Sequence, residues 1–169
     1  MKNNTYKLIK RYIFWAISIA LMVFIFLNSH ETATESTKTS ASLIEQILTI
    51  FMPKFVSWPI EQKELLIKSL QFIVRKGAHF SVYLVLGASC FGALNTYSIK
   101  MRNKCTLALL ISFVYAISDE IHQLFIEGRS GQVSDVILDL SGAVTGVLIT
   151  LAIICVYKRI KKNVKGGPL

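Results

Sequence analysis

The sequence predicts an all-α integral membrane protein, a bundle of four transmembrane helices with two amphipathic helices on its outer side. Hydrophobic residues make up 53% of the 169 positions and charged residues only 17%, whereas soluble domains carry about 25% charged residues. The mean hydropathy is +0.51. Four apolar windows also approach the roughly 20 residues that a bilayer-spanning helix needs. A water-soluble globule is therefore not expected.

The four predicted spans are separated by polar or basic segments. They cover residues 12–27, 78–97, 105–125 and 133–157, and a short turn, 126–132, joins the third span to the fourth. The first span follows basic residues, as a signal peptide would, but no A-x-A cleavage site follows it, so we expect an uncleaved anchor. Gly142 and Gly146 form a GxxxG pattern that predicts close packing of the fourth span against another helix.

The distribution of charge predicts the topology. Twelve of the 19 Lys and Arg residues lie before the first span, between the second and third, or after the fourth, and no acid lies among them. Cytoplasmic segments retain positive charge, so both termini are expected in the cytoplasm. The net charge of +9 is then explained by the basic residues that mark the cytoplasmic segments. No nucleic-acid partner is expected, because a nucleic-acid reader would carry its basic residues on one folded surface.

The chain divides into four predicted parts. These are the cytoplasmic N-terminus with the first span (1–28), an outer segment (29–76), a core of spans two to four (77–157) and a basic cytoplasmic tail (158–169). The outer segment begins as a Ser/Thr-rich tether. Ser42 and Glu45 then form a predicted capping box for an amphipathic helix that Pro53 ends. A second amphipathic run follows Pro59, and we expect both helices to lie in the membrane interface or to cover the bundle.

Ionisable side chains interrupt the spans, and such residues are functional candidates by default in a membrane helix. On the second span they are Lys76 and His79, with Tyr83; on the third Asp119, Glu120 and His122, with Gln123; on the fourth Asp135 and Asp139; Arg129 lies in the turn. Helical spacing puts the principal members on one face of each helix, at its outer end. They are expected to meet in one outward-facing polar cleft.

The carboxylates of this cleft have two possible roles. Asp135 and Asp139, four residues apart, could share a divalent cation with Asp119, and Mg²⁺ commonly binds through one or two carboxylates plus substrate phosphate. Alternatively, Asp135 and Asp139 could form buried ion pairs with Lys76 and Arg129 that hold the bundle together. The sequence leaves both open.

Four side chains are candidates for acid–base chemistry: His79, Asp119, Glu120 and His122. His79 is placed to act as a general acid or base or, alternatively, as a hydrogen-bonded packing residue. The string from Asp119 to His122 resembles a helicase box, but no phosphate-binding loop accompanies it, so an ATPase is excluded.

Two segments resemble the VanZ-like family of small bacterial membrane proteins. They are RKGAHFSVYLVLG (75–87) and SDEIHQLFIEGRSGQVSDVILDLSGAVTG (118–146). The matching positions are Lys76, His79, Phe80, Tyr83, Asp119, Glu120, Gln123, Phe125, Arg129, Asp135, Asp139 and Gly142. The resemblance implies a multi-pass protein of the bacterial cytoplasmic membrane with a role in teicoplanin-type resistance.

Two classes of function are compatible with the cleft. A binding module would hold the anionic head group of a membrane lipid or lipid-linked cell-wall precursor, through Lys76, His79, Tyr83, Gln123 and Arg129. An enzyme would carry out metal-assisted hydrolysis or transfer at a lipid phosphate ester, with Asp119, Asp135 and Asp139 as ligands. A transporter is disfavoured, since the inner halves of spans two to four offer no polar pathway. The oligomeric state is left open.

Overall fold

A computed structural model describes residues 2–165 of the chain, and the side chains of residues 4–163. This part contains five α-helices, one short 3₁₀ helix and no strand: α1 (Lys2–Ser29), α2 (Ala33–Phe51), the 3₁₀ helix (Pro53–Ser57), α3 (Ile60–Leu94), α4 (Met101–Gln123) and α5 (Val133–Lys165). The predicted fold class is confirmed. The predicted tail begins as a continuation of α5, and its last four residues, 166–169, lie outside the described part.

Helices α1, α3, α4 and α5 are each long and apolar enough to cross a membrane. Large apolar side chains such as Phe24, Leu27 and Ile153 are about half exposed or more on the protein surface. Exposed apolar area of this extent is unfavourable in water. The chain is therefore a multi-pass membrane protein whose helices present these faces to lipid.

The end of the outer segment differs from the one expected from the sequence. The second amphipathic run and the second span are one continuous helix from Ile60 to Leu94, because no proline interrupts it. Its 35 residues extend about 52 Å at 1.5 Å per residue, well beyond the roughly 30 Å hydrocarbon core. The expected boundary between residues 76 and 77 thus falls inside a helix.

The predicted tether and the predicted capping box at the start of α2 are both wrong. The helix begins at Ala33, so the Ser/Thr-rich stretch is helical. Its cap is Thr32: the Glu35 backbone N–H donates to the Thr32 hydroxyl at 3.3 Å, and the Thr32 N–H donates to the Glu35 carboxylate at 2.9 Å. That backbone donor lowers the pKa of Glu35. Ser42 and Glu45 lie in the helix interior.

The backbones of α3 and α5 approach closely at three glycines. A Cβ atom at Gly142 would overlap the Phe80 carbonyl, and one at Gly146 would overlap the Leu84 carbonyl. Gly87 of α3 faces the Ala143 backbone in the same way. The GxxxG pattern thus packs α5 against α3, as predicted, and fixes the register between them.

Two ends of the bundle can be distinguished from the helix order. The tail end carries the start of α1, the 95–100 connection and the end of α5. The turn end carries the end of α1, all of α2 and the 124–132 turn between α4 and α5.

Candidate ligand-binding site

Three helices each bring one potential ligand to the same point near the turn end. His79 of α3, Asp119 of α4 and Asp139 of α5 present atoms that all lie within 4.8 Å of one another; we call them the acid–histidine cluster. The register of α3 and α5 explains the meeting. Asp139 lies three residues, about one helical turn, before Gly142, and the Phe80 carbonyl that faces Gly142 belongs to the residue after His79.

Asp139 is the least satisfied member of the cluster. Its side chain is 0% exposed, and neither carboxylate oxygen accepts a hydrogen bond from the described residues. Its nearest basic atom is Nδ1 of His79, 3.6 Å from Oδ1, which is too long for a hydrogen bond. The hydroxyl of Tyr83, one helical turn beyond His79, is also buried without a partner among the described side chains.

Asp135 has a different environment from Asp139, although one turn of α5 separates them. The Lys76 ammonium forms a salt bridge with the Asp135 carboxylate, and both side chains are partly buried. Of the two roles left open by the sequence, Asp135 has the ion pair with Lys76, while Asp139 is not paired with Arg129. Asp135 therefore lies outside the acid–histidine cluster.

Of the four acid–base candidates, two lie in the acid–histidine cluster and two lie outside it. His79 and Asp119 meet in the cluster, and Asp119 accepts a hydrogen bond from Gln123 Nε2 at 3.3 Å. Glu120 instead accepts the backbone N–H of Gln132 at 2.7 Å, which ties α4 to the start of α5. His122 stacks on the Phe26 ring, with centroids 4.7 Å apart, outside the cluster.

Two adjoining cavities open beside the cluster. The polar cavity has a volume of about 460 Å³, within the roughly 300–1,000 Å³ of small-molecule sites. Its polar lining residues are Lys68, Gln71, Arg75, Lys76, His79, Gln123, Arg129, Ser130, Gln132 and Asp135. It thus contains four of the five predicted binding residues.

The second cavity has about 250 Å³ and a mainly apolar wall. Its lining includes Phe24, Ile25, Leu43, Val74, Ala78, Val82 and the fifth predicted binding residue, Tyr83. Arg75, His79 and Arg129 line both cavities. A charged group and an attached apolar chain could therefore be held side by side.

Arg75 is the site residue that the sequence interpretation missed. It lies one turn before His79 on α3, and this spacing was the available signal. Within the described residues, neither Arg75 nor Arg129 forms a salt bridge. Arg129 donates to the Asn28 carbonyl at 3.0 Å. The pKa of its guanidinium is lowered mainly by burial and, to a smaller extent, by the positive charge of Arg75.

Helix α2 forms one wall of the apolar cavity. Ser36, Thr39, Ser40 and Leu43 contribute to its wall, and Ile44 is 2% exposed. The Ala33 N–H donates to the Glu127 carbonyl of the turn at 3.2 Å. Other apolar residues of α2, such as Phe51, are exposed, so only part of its apolar face packs on the bundle.

One match to a known family covers all of these residues: the acids of α4 and α5, His79 and Arg75 of α3, Arg129 and the contacting glycines. The family model described as VanZ/LLP1 matches residues 14–155, which cover most of the chain. The protein belongs to the VanZ/LLP1 family. No curated protein matches the chain, and no solved structure matches it.

Proposed function

We propose that this protein binds the anionic head group of a membrane lipid or lipid-linked cell-wall precursor in the polar cavity, with an acyl or prenyl chain against the apolar cavity. The observation that carries the proposal is the pair Arg75 and Arg129. Both residues line the two adjoining cavities, and neither forms a salt bridge within the described residues.

Charge and geometry support an anion of phosphate type. Arg129 is half-buried, where an unpaired charge is costly, and Arg75 is exposed beside it, so the two positive charges favour a negatively charged ligand. Guanidinium groups recognise phosphate oxygens through paired hydrogen bonds. The amide of Gln123 and the imidazole of His79 add polar contacts at the floor of the polar cavity.

The proposed biological role is teicoplanin-type resistance. We place both termini in the cytoplasm of a bacterium and the turn end in the outer leaflet, because basic residues concentrate at the tail end and cytoplasmic segments retain positive charge. There, binding of lipid-linked precursors would change what a lipoglycopeptide meets at the membrane surface. Expression in a susceptible host should raise the inhibitory concentration of teicoplanin, and the Arg75→Gln/Arg129→Gln variant should not.

Lipid binding can be measured by native mass spectrometry of the purified protein, with phosphatidylglycerol and phosphatidylcholine of identical chains. We expect preferential binding of phosphatidylglycerol, and a loss of about tenfold or more in Arg75→Gln/Arg129→Gln, because hydrogen bonds to charged groups contribute roughly 1.5–3 kcal/mol each. The matched control Arg102→Gln/Arg159→Gln removes two exposed arginines at the tail end and should retain the preference. Equal binding of both lipids by the unmodified protein would contradict the proposal.

A lipid phosphate-ester hydrolase is the second candidate, favoured by the acid–histidine cluster. Water would attack phosphorus as its proton passes to a base such as His79, the P–O bond to the lipid would break, and the leaving oxygen would take a proton. Release of inorganic phosphate or of a phosphorylated head group from the bound lipid, lost in His79→Gln, would support it.

A further inference from the structure

The buried carboxylate of Asp139 has a single basic atom within 4 Å among the described residues, Nδ1 of His79, which is charged only when the imidazole is protonated. Both of its oxygens lack hydrogen-bond donors among the described residues, and its side chain is 0% exposed. Asp119 adds a second carboxylate and is itself 4% exposed. An unpaired ionised group in such surroundings is strongly unfavourable, and two of them with one imidazole form a set of ligands that favours a bound cation.

The spacing of the cluster suits coordination better than hydrogen bonding. All three ligand atoms fall within 4.8 Å of one another, and His79 Nδ1 lies 3.6 Å from Asp139 Oδ1. An ion with bonds of about 2.1 Å separates neighbouring tetrahedral ligands by about 3.4 Å. The separation of His79 and Asp139 is therefore close to an edge of a coordination polyhedron.

We infer that His79, Asp119 and Asp139 bind one divalent cation of the Mn²⁺ or Zn²⁺ kind. Two carboxylates would balance its charge, and one imidazole nitrogen favours these ions over Mg²⁺, which prefers an all-oxygen environment. Gln123 orients Asp119 by donating to its Oδ2, as the outer partners of metal ligands commonly do.

This set differs from the one predicted from sequence, which had Asp135 in place of His79. The salt bridge between Lys76 and Asp135 engages Asp135 already. The inference goes beyond the proposed function, because the ion would bind without any lipid. Its failure would leave the arginine site untouched.

The test is a titration of the purified full-length protein with Mn²⁺ alone, followed by electron paramagnetic resonance, with Zn²⁺ as competitor. We expect one ion per chain, displaced by Zn²⁺, and a ¹⁴N coupling in pulsed spectra from directly bound imidazole. His79→Gln should remove that coupling. His79→Gln and Asp139→Asn should each weaken binding by at least about tenfold, since even outer partners change metal affinity by roughly 10–100-fold.

Two controls distinguish ligation from a general loss of negative charge. Asp135→Asn removes a carboxylate one turn away on α5, and Glu45→Gln removes an exposed one on α2; both should retain the ion and its ¹⁴N coupling. Absence of a bound ion in the unmodified protein would overturn the inference even if every variant fails to fold. A coupling that persists in His79→Gln would overturn it as well.

Discussion

At the scale of single residues, Asp135 and Asp139 should respond oppositely to the same substitution. In Asp139→Asn an amide replaces a carboxylate that accepts no hydrogen bond, so in the presence of a chelator stability should be unchanged or higher. In Asp135→Asn the partly buried Lys76 ammonium loses its partner. That loss should lower the free energy of unfolding by about 1–2 kcal/mol, less than the 3–5 kcal/mol of a fully buried pair.

Thermal unfolding in detergent micelles containing a chelator measures both effects. The unmodified protein and Glu45→Gln, an exposed change, provide the reference. If Asp139→Asn proved the less stable variant by several kcal/mol, Asp139 would be a structural partner of a charged His79, and the account of an unsatisfied carboxylate would be wrong.

The sequence predicted which residues lie in this site better than it predicted which of them pair with one another. Helical spacing brought His79, Asp119 and Asp139 to one end of their spans, and the structure places them together. Spacing alone could not separate Asp135 from Asp139, because residues four apart on a helix point in nearly the same direction. Which of them reaches Lys76 depends on the register of α5 along α3, and the glycine contacts between the helices set that register.

At the scale of helices, the contact between α3 and α5 should depend on Gly146. In Gly146→Ala the new Cβ atom would overlap the Leu84 carbonyl, and overpacking of this kind costs roughly 1–3 kcal/mol. Separation of the helices would also move Asp139 away from His79. We therefore expect a lower melting temperature together with weaker ligand binding.

Gly77→Ala is the matched control for this prediction. No heavy atom lies within 4 Å of a Cβ atom built at Gly77, and alanine stabilises a helix interior over glycine by roughly 0.5–1 kcal/mol. Melting curves should show this variant to be as stable as the unmodified protein or slightly more stable. Equal destabilisation at both positions would mean that the glycines do not set the helix contact.

The start of α2 gives a third prediction. Thr32→Ala removes the hydroxyl that caps the helix and should cost about 1 kcal/mol locally, so amide hydrogens of the first turn should exchange faster. Ser42→Ala, at the cap predicted from sequence, should leave exchange there almost unchanged. Faster exchange around residue 42 in Ser42→Ala, with no effect of Thr32→Ala, would instead mean that α2 begins near residue 42 and that the Ser/Thr-rich stretch before it is a tether.

The hydrogen bonding between Thr32 and Glu35 should also depend on pH. Because the pKa of Glu35 is lowered in the folded protein, the stability that its charged carboxylate contributes to α2 is fully present above the pKa of the unfolded chain. This stability is lost as the pH falls through the pKa of the folded protein.

The errors at α2 and α3 have physical causes. Thr32 with Glu35 and Ser42 with Glu45 both fit the capping-box pattern, and the pattern cannot choose between them. Packing on the α4–α5 turn, which includes the bond from Ala33 to Glu127, favours the earlier start. In α3 the change from an amphipathic to an apolar pattern indicated two helices, although nothing between Ile60 and Leu94 breaks the chain's helical path.

At the scale of the whole molecule, the predicted orientation can be tested by labelling single cysteines from outside intact cells. With Cys90, Cys105 and Cys155 replaced by alanine, an impermeant thiol reagent should label Lys38→Cys and Ser130→Cys, both exposed at the turn end. It should not label Asn103→Cys, at the tail end, until the membrane is permeabilised. Labelling of Asn103→Cys in intact cells would reverse the topology.

The most direct test of the proposed function is to locate a bound anionic lipid. A phosphatidylglycerol analogue with a photoreactive diazirine in its acyl chain should crosslink to the apolar cavity, at residues such as Leu43, Val74 and Val82. Crosslinking should fall in Arg75→Gln/Arg129→Gln and persist in Arg102→Gln/Arg159→Gln. An even distribution of crosslinks over the lipid-facing helices, with no dependence on Arg75 and Arg129, would contradict the account.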